Sequence, residues 1–348
     1  MWHASHQVKF TPGMAIMRRF FLGLLITVAS GALLVRLIPW TSTEAALKAA
    51  NPWWIALAVT CLVVSIAAKA VRWRLLLPED SSVTTPGLYR ILNISFLLNN
   101  VLPARLGDVA RVTMTSRQPG VRLGHVISSM LTERVTDTVT LLVGFVVVSP
   151  FLPVPERYEG WLHTAWTVLV VLLATAIVLA IFHSRVERLA SSRRLSRLFP
   201  ANRRVRDEAR SFSEGLRQLF RRDHVVGIWG WSWTAWITAF AINYLLMRAL
   251  DIDAPMPVAV LLTCTTNLAM LIPSSPGYIG VFHLAATASL LPFGVAESRA
   301  FSFAILAHLV NVVPVSLIGA ALLFIGRDSL SLSLQGLRSA QVVETRDV

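Results

Sequence analysis

Lysine is nearly absent from this chain, and acidic residues are scarce. Of 32 basic residues all but Lys9, Lys48 and Lys69 are arginine, against 19 acids, and only 15% of the 348 residues are charged. The balance of +13 does not make a nucleic-acid footprint, because the arginines gather between apolar runs and no base-reading motif accompanies them. Cysteine is rare too. Cys61 and Cys264 lie in separate apolar runs with no Cys-x-x-Cys or Cys/His spacing, which argues against a disulfide framework or structural zinc, and no metal or other cofactor is expected. What fills the chain is apolar: 55% of residues are hydrophobic, mean hydropathy is +0.62, and several runs are long enough to cross about 30 Å of hydrocarbon.

These features specify an all-α polytopic membrane protein. Arg18-Arg19 followed by Phe20 to Leu34 has the charge order of a signal peptide, but no small-x-small cleavage site precedes Arg36-Leu37-Ile38-Pro39-Trp40. The stretch therefore reads as a retained first span, with residues 1–17 a mobile extension. Further apolar runs fall at about 52–71, 87–102, 123–149, 161–182, 225–250, 256–272, 277–293 and 299–325. Between the halves, residues 183–224 carry twelve arginines against five acids, which makes this segment cytoplasmic by the positive-inside rule, and Val205 to Phe220 has amphipathic helical spacing. Residues 327–348 form a cytoplasmic tail.

Loop charge then sets the topology. Lys69, Arg72 and Arg74 before the run at 87–102, and Arg117 and Arg122 after it, ask for the same side, so residues of about 86–117 should form a hairpin entering and leaving from the cytoplasm. By the same counting, about 256–293 is a hairpin of opposite orientation. The first membrane half, 18–182, and the second, 225–326, then both read span, hairpin, span: an inverted-topology repeat of six spans with two opposed re-entrant hairpins, or eight hydrophobic passes if the hairpins cross fully.

Each hairpin is broken by a Pro and, four residues on, a Gly: Leu102-Pro103-Ala104-Arg105-Leu106-Gly107-Asp108 and Ile272-Pro273-Ser274-Ser275-Pro276-Gly277-Tyr278. Hydrocarbon cannot satisfy free backbone groups, so such breaks belong where protein or a cavity surrounds them. A helix N-terminus at each tip attracts anions. At the second tip Ser275 can cap, Pro276 takes the first helical position and Gly277 permits close approach, with Ser274 beside them. The first tip lacks a cap but adds Arg105, Asp108 and Arg111. Glu133, Arg134 and Asp137 lie mid-span, the carboxylates on one helix face at i and i+4, neutralised by Arg134 or by an Arg of the first hairpin. They are either a structural ion-pair network or part of substrate and proton handling. The corresponding helix of the second half carries His308 and Asn311, open to a coupling role or to core hydrogen bonding. Asn93, Asn99, Asn100 and Asn267 precede the breaks, where amides either satisfy freed backbone groups or meet a headgroup.

Asn99 to Arg111, then Glu133-Arg134 with Asp137, then Ile272 to Gly280 together resemble the lysylphosphatidylglycerol synthase transmembrane family, flippase-like membrane proteins, over roughly residues 20–326. In the family's best-known members this part is similar to a lipid flippase and precedes a soluble aminoacyl-transferring domain. This chain stops about 20 residues after its last span, so the resemblance implies the translocating half and no aminoacyl transfer. Where the family often has an acidic residue this chain has His283, and Tyr278 replaces a frequent second Gly. The expected function is translocation of an anionic phospholipid or a polyprenyl-phosphate-linked headgroup in the plasma (inner) membrane of a bacterium, with both termini cytoplasmic. Two alternatives remain: an enzyme acting on a lipid phosphate through Glu133 and Asp137, and a non-transporting partner of a lipid synthase or glycosyltransferase.

Overall fold

The computed structural model describes residues 40–102, 105–152, 222–270 and 276–325, with isolated helical positions at 160, 167 and 211. The expected first span, the run at 161–182, most of the arginine-rich segment, the tail, and Pro103, Ala104 and Ile272 to Ser275 at the tips lie outside the described residues. Among those residues the fold is all-helical: α1 (Trp40–Lys48), α2 (Pro52–Leu75), α3 (Thr85–Val101), α4 (Leu106–Ser116), α5 (Leu123–Val148), α6 (Arg222–Ala249), α7 (Met256–Ala269), α8 (Val281–Leu290) and α9 (Glu297–Ile325). Four helices are long and apolar enough to cross a membrane: α2, α5 with its following turn, α6 and α9.

Local signals start and stop these helices. The Asn51 side chain accepts from the Trp53 amide with Pro52 next to it, and Thr84 accepts from the Gly87 amide with Pro86 in the first turn. α3 ends in the extended Leu102, as expected of a residue before proline. α2 and α6 form the most extensive contact and run antiparallel. At one end the Asn51 amide donates to the Ala249 carbonyl at 2.9 Å; at the other His224 meets Glu79 at 3.2 Å. The shared core includes Leu62, Ile66, Trp73, Ile228 and Leu246.

The short helices form two pairs that open toward opposite ends of this scaffold. At the Glu79 end, the amide and hydroxyl of Ser82 both donate to the Pro119 carbonyl, joining the chain before α3 to the chain after α4. At the Asn51 end, Arg299 donates to the Asp251 carbonyl, joining the chain before α7 to the start of α9. The arms hold 17 and 11 residues in the first pair and 14 and 10 in the second. At 1.5 Å per residue each is roughly 15 to 26 Å long, short of the hydrocarbon thickness.

Small residues let the first pair pack closely. A Cβ on Gly107 would stand 2.0 Å from the Ser95 carbonyl, and one on Gly319 would stand 2.5 Å from the Asn93 carbonyl. α3 is thus pressed between α4 and α9. The second tip departs from expectation. Pro276–Tyr278 is a 3₁₀ turn, and α8 begins only at Val281, after Gly280. Gly277, Tyr278 and Gly280 have φ of 71°, 57° and 90°, a left-handed run that no right-handed helix can contain, so Pro276 does not open the helix.

Candidate functional site

The tips of the two pairs meet between the long helices. Arg105, left-handed at φ 56° and without a side-chain cap behind it, donates from Nε to the Tyr278 hydroxyl and from Nη2 to the Met270 carbonyl, both at 3.0 Å. Met270 closes α7, so the guanidinium sits against the negative end of a helix dipole. Asn100 on α3 donates to Ser316 Oγ on α9 at 3.1 Å. Gly277 lies against the Asn100 carbonyl.

Toward the Glu79 end, the charged residues of α4 and α5 interlock. Arg111 is buried and binds Glu133 through both guanidinium nitrogens, its plane 3.7 Å from the Trp73 ring centroid. Trp73 in turn donates to Ser129 Oγ. Asp108 accepts from Asn99 at 3.0 Å and faces Arg134 at 3.8 Å, with the Arg134 side chain 56% exposed. Glu133 and Asp137 share a face, as their spacing requires, but Asp137 has a partner that sequence order does not point to. Arg72 of α2 is fully buried, at 0% exposure, and binds Asp137 Oδ1 at 2.6 Å and Ser232 Oγ at 3.0 Å, with Glu133 4.0 Å away. Trp236 of α6 donates to the same Asp137 oxygen. Lys69, one turn before Arg72, lies 5.6 Å from the Trp236 ring centroid.

Loop charge assigned Lys69 and Arg72 to the cytoplasmic boundary. The available signal was the depth of α2: its helix continues to Leu75, three residues past Arg72, and a cation there can fold back onto a carboxylate of α5. Arg105 does not pair with Asp108; its partners are neutral.

The remaining expected residues divide. His283 and His308 are brought together, their rings stacked at 4.8 Å beside Phe282 and Phe301. His283 Nδ1 also accepts from the Gly280 amide. Asn267 and Asn311 bond carbonyls one turn back in their own helices, at Thr263 and Ala307, and Asn93 does the same at Tyr89. Ser274 and Ser275 lie outside the described residues. Among the described residues the buried ion pairs are therefore concentrated where α2, α4, α5 and α6 converge, and the Arg105 contact between the tips lies on their Asn51 side.

The cluster and both tips fall within residues 20–319, which match the family described as Lysylphosphatidylglycerol synthase TM region. The chain is similar to a UPF0104 membrane protein of Methanothermobacter thermautotrophicus, 23% identical over 317 residues that cover 86% of this chain and 93% of that one. It is also similar to Glycosyltransferase AglD of Haloferax volcanii, 26% identical over 327 residues, covering 83% of this chain and 51% of that protein. A second UPF0104 membrane protein, from Methanocaldococcus jannaschii, is 22% identical over 232 residues, 66% of this chain and 93% of that one. These three organisms are archaea and lend nothing to the bacterial origin expected from the sequence.

Proposed function

This chain belongs to the Lysylphosphatidylglycerol synthase TM region family of integral membrane proteins, and from that premise we propose that it translocates a lipid or lipid-linked headgroup bearing an anionic phosphate. The observation that carries this reading is the meeting of two short helix pairs from opposite ends of the bundle, bridged by Arg105 and flanked by a buried ion cluster. Arms too short to span, broken where they meet, support re-entrant hairpins of an inverted repeat. Arginines 74, 117, 122 and 222 at the Glu79 end support a cytoplasmic placement of that end, with both termini inside. In this scheme the phosphate is held between the tips near the midplane, and the halves rock around it. Arg134, exposed beside Leu131 and Ile127, offers a lateral route for the acyl chains. In liposomes containing the purified protein, exchange of a phosphate-bearing lipid between leaflets should accelerate. An Arg105→Ala variant that keeps the full rate refutes the site.

The enzyme reading gains no support from the cluster, since Glu133 is clamped by Arg111 and Asp137 by Arg72 and Trp236, leaving neither free to exchange a proton with substrate. The partner reading has one observation in its favour, the similarity to a protein named as a glycosyltransferase over half that protein's length. It predicts that intramembrane charges can be neutralised without loss of cellular function, which translocation does not allow.

A further inference from the structure

Counting partners across the cluster leaves a remainder. Each carboxylate has its own guanidinium: Glu133 has Arg111, Asp137 has Arg72 and Asp108 has Arg134. Two cations are left over. Lys69 makes no hydrogen bond or ion pair among the described residues, lies over the Trp236 face and meets Asp137 and Glu133 only through space, while Arg105 bonds a phenol and a carbonyl, neither of them charged. The apolar runs at 20–38 and 161–182 contain no Asp or Glu that could balance them. Hydrogen-bonding capacity is also in excess. Arg72 is wholly buried, yet its Nε and Nη2 have no acceptor, and Arg111 Nε has none either.

The two spare cations lie on the same side of the ion pairs. Along α2, Lys69 is one turn closer to the Asn51 end than Arg72; Arg105 precedes Arg111 by six residues in the same sense. Both therefore lie on the tip side of the clamped carboxylates, Lys69 along α2 and Arg105 at the start of α4. Uncompensated cations at such depth are expensive, and the cost is tolerated where an anion is to be received.

We propose that this region receives a headgroup with two negative charges, a phosphomonoester or a diphosphate diester, neutralised by Lys69 and Arg105, and that Lys69 sets the preference over a singly charged phosphodiester. Arg105 exchanges its Tyr278 and Met270 contacts for the phosphate, so loading the site also loosens the joint between the tips. The inference rests on the proposed translocation and narrows its substrate class. Arg105 belongs to any anion site at the tips; Lys69 is the specificity-determining addition.

The test compares binding of phosphatidic acid, a phosphomonoester with close to two charges at pH 8, with binding of phosphatidylglycerol, a phosphodiester with one. Both are titrated against the full chain in phosphatidylcholine nanodiscs. The expected result is a preference of about tenfold for phosphatidic acid, the size of one charge-assisted contact, falling to about twofold in Lys69→Met and retained in Lys69→Arg. Equal affinity of the unmodified protein for the two lipids, or an undiminished preference in Lys69→Met, overturns the proposal. Inorganic phosphate added equimolar with lipid should not compete; displacement by it would assign the site to a free anion instead. Because Lys69 holds no carboxylate, Lys69→Met should keep or raise the thermal midpoint, and a marked fall would make Lys69 a structural residue and end its specificity role. Binding is read without transport. An idle exchange assay therefore sinks the translocase reading alone, and equal lipid affinities sink the charge preference alone.

Discussion

The junction of α4 with α5 and the junction of α8 with α9 each join the second arm of a short pair to the long helix that follows. Their chemistry is opposite. The first is carried by charge, with Arg111 on Glu133 and Arg134 on Asp108, while the second is an imidazole stack of His283 on His308 among phenylalanines. Similar architecture with unequal chemistry means that the two junctions cannot share one task. The charged junction fixes α4 in register against α5, whereas the aromatic one provides a contact with few directional demands. If the proposed translocation moves one half against the other, the charged junction is its firm side and the aromatic one its yielding side.

The firm side breaks hardest at Glu133. Glu133→Leu leaves Arg111 buried without its carboxylate and deprives Arg72 of a second one, and unpairing a buried ion pair in this way costs about 3–5 kcal/mol. The expectation is a large fall in thermal midpoint in detergent, with much of the loss recovered in the double variant Glu133→Leu, Arg111→Leu, which removes both charges together. A double variant no more stable than the single one would mean that the pair is not the unit holding this junction.

The next effect is steric. Gly107→Ala places a methyl group where the Ser95 backbone stands, and α3 and α4 must separate or shift. Overpacking of this kind costs about 1–3 kcal/mol. Since Ser95 Oγ also bonds the Gly107 carbonyl at 2.9 Å, the shift loosens that contact too. Cysteine pairs placed across α3 and α4 should crosslink less readily in the variant, and an unchanged crosslinking rate with an unchanged melting point would contradict the packing.

On the yielding side, His283→Phe keeps a ring against Phe282, Phe301 and His308, losing only the Gly280 amide contact, which is long at 3.4 Å. Stability should change by less than about 1 kcal/mol. If His283 instead takes part in coupling, lipid exchange falls while the melting point stays put, and that result would remove the contrast between the two junctions.

Much of this was open to sequence reasoning, for a physical reason. Helix length, the two breaks and charges stranded inside apolar runs are all one-dimensional features, so six spans, two short pairs and the Glu133 to Asp137 cluster could be anticipated, and four of those spans fall on long helices among the described residues. The partner of Glu133 was expected to be Arg134 or an arginine of the first pair, because charge at depth must be met by a nearby opposite charge, and it is Arg111 of the first pair. Arg72 was not foreseen. Its position near a span end matches a snorkelling cation as well as an inward one, and only the antiparallel seating of α2 on α6, with α5 alongside, decides between them. Trp236 was hidden in the same way among tryptophans that do sit outward, such as Trp231. The start of α8 was misread because Ser275, Pro276 and Gly277 satisfy the rules for a helix opening, while the left-handed Tyr278 that prevents it follows no residue preference.

A last variant tests how the two sides are joined. Tyr278→Phe removes the hydroxyl that accepts from Arg105 Nε but leaves the ring under the guanidinium, 5.6 Å from its centroid, and the Met270 carbonyl bond. One hydrogen bond to a charged group is worth roughly 1.5–3 kcal/mol when fully buried, and this one is only partly so, which places the stability loss nearer 1 kcal/mol. Its consequence for the ligand has the opposite sign. If Arg105 must leave Tyr278 to meet a phosphate, weakening the resting contact lowers what the ligand has to displace, and apparent affinity for phosphatidic acid should rise by about threefold to tenfold. A fall in affinity would instead mean that the Tyr278 hydroxyl holds Arg105 in its binding pose, and the joint between the tips would then be part of the occupied site rather than a contact that the ligand releases.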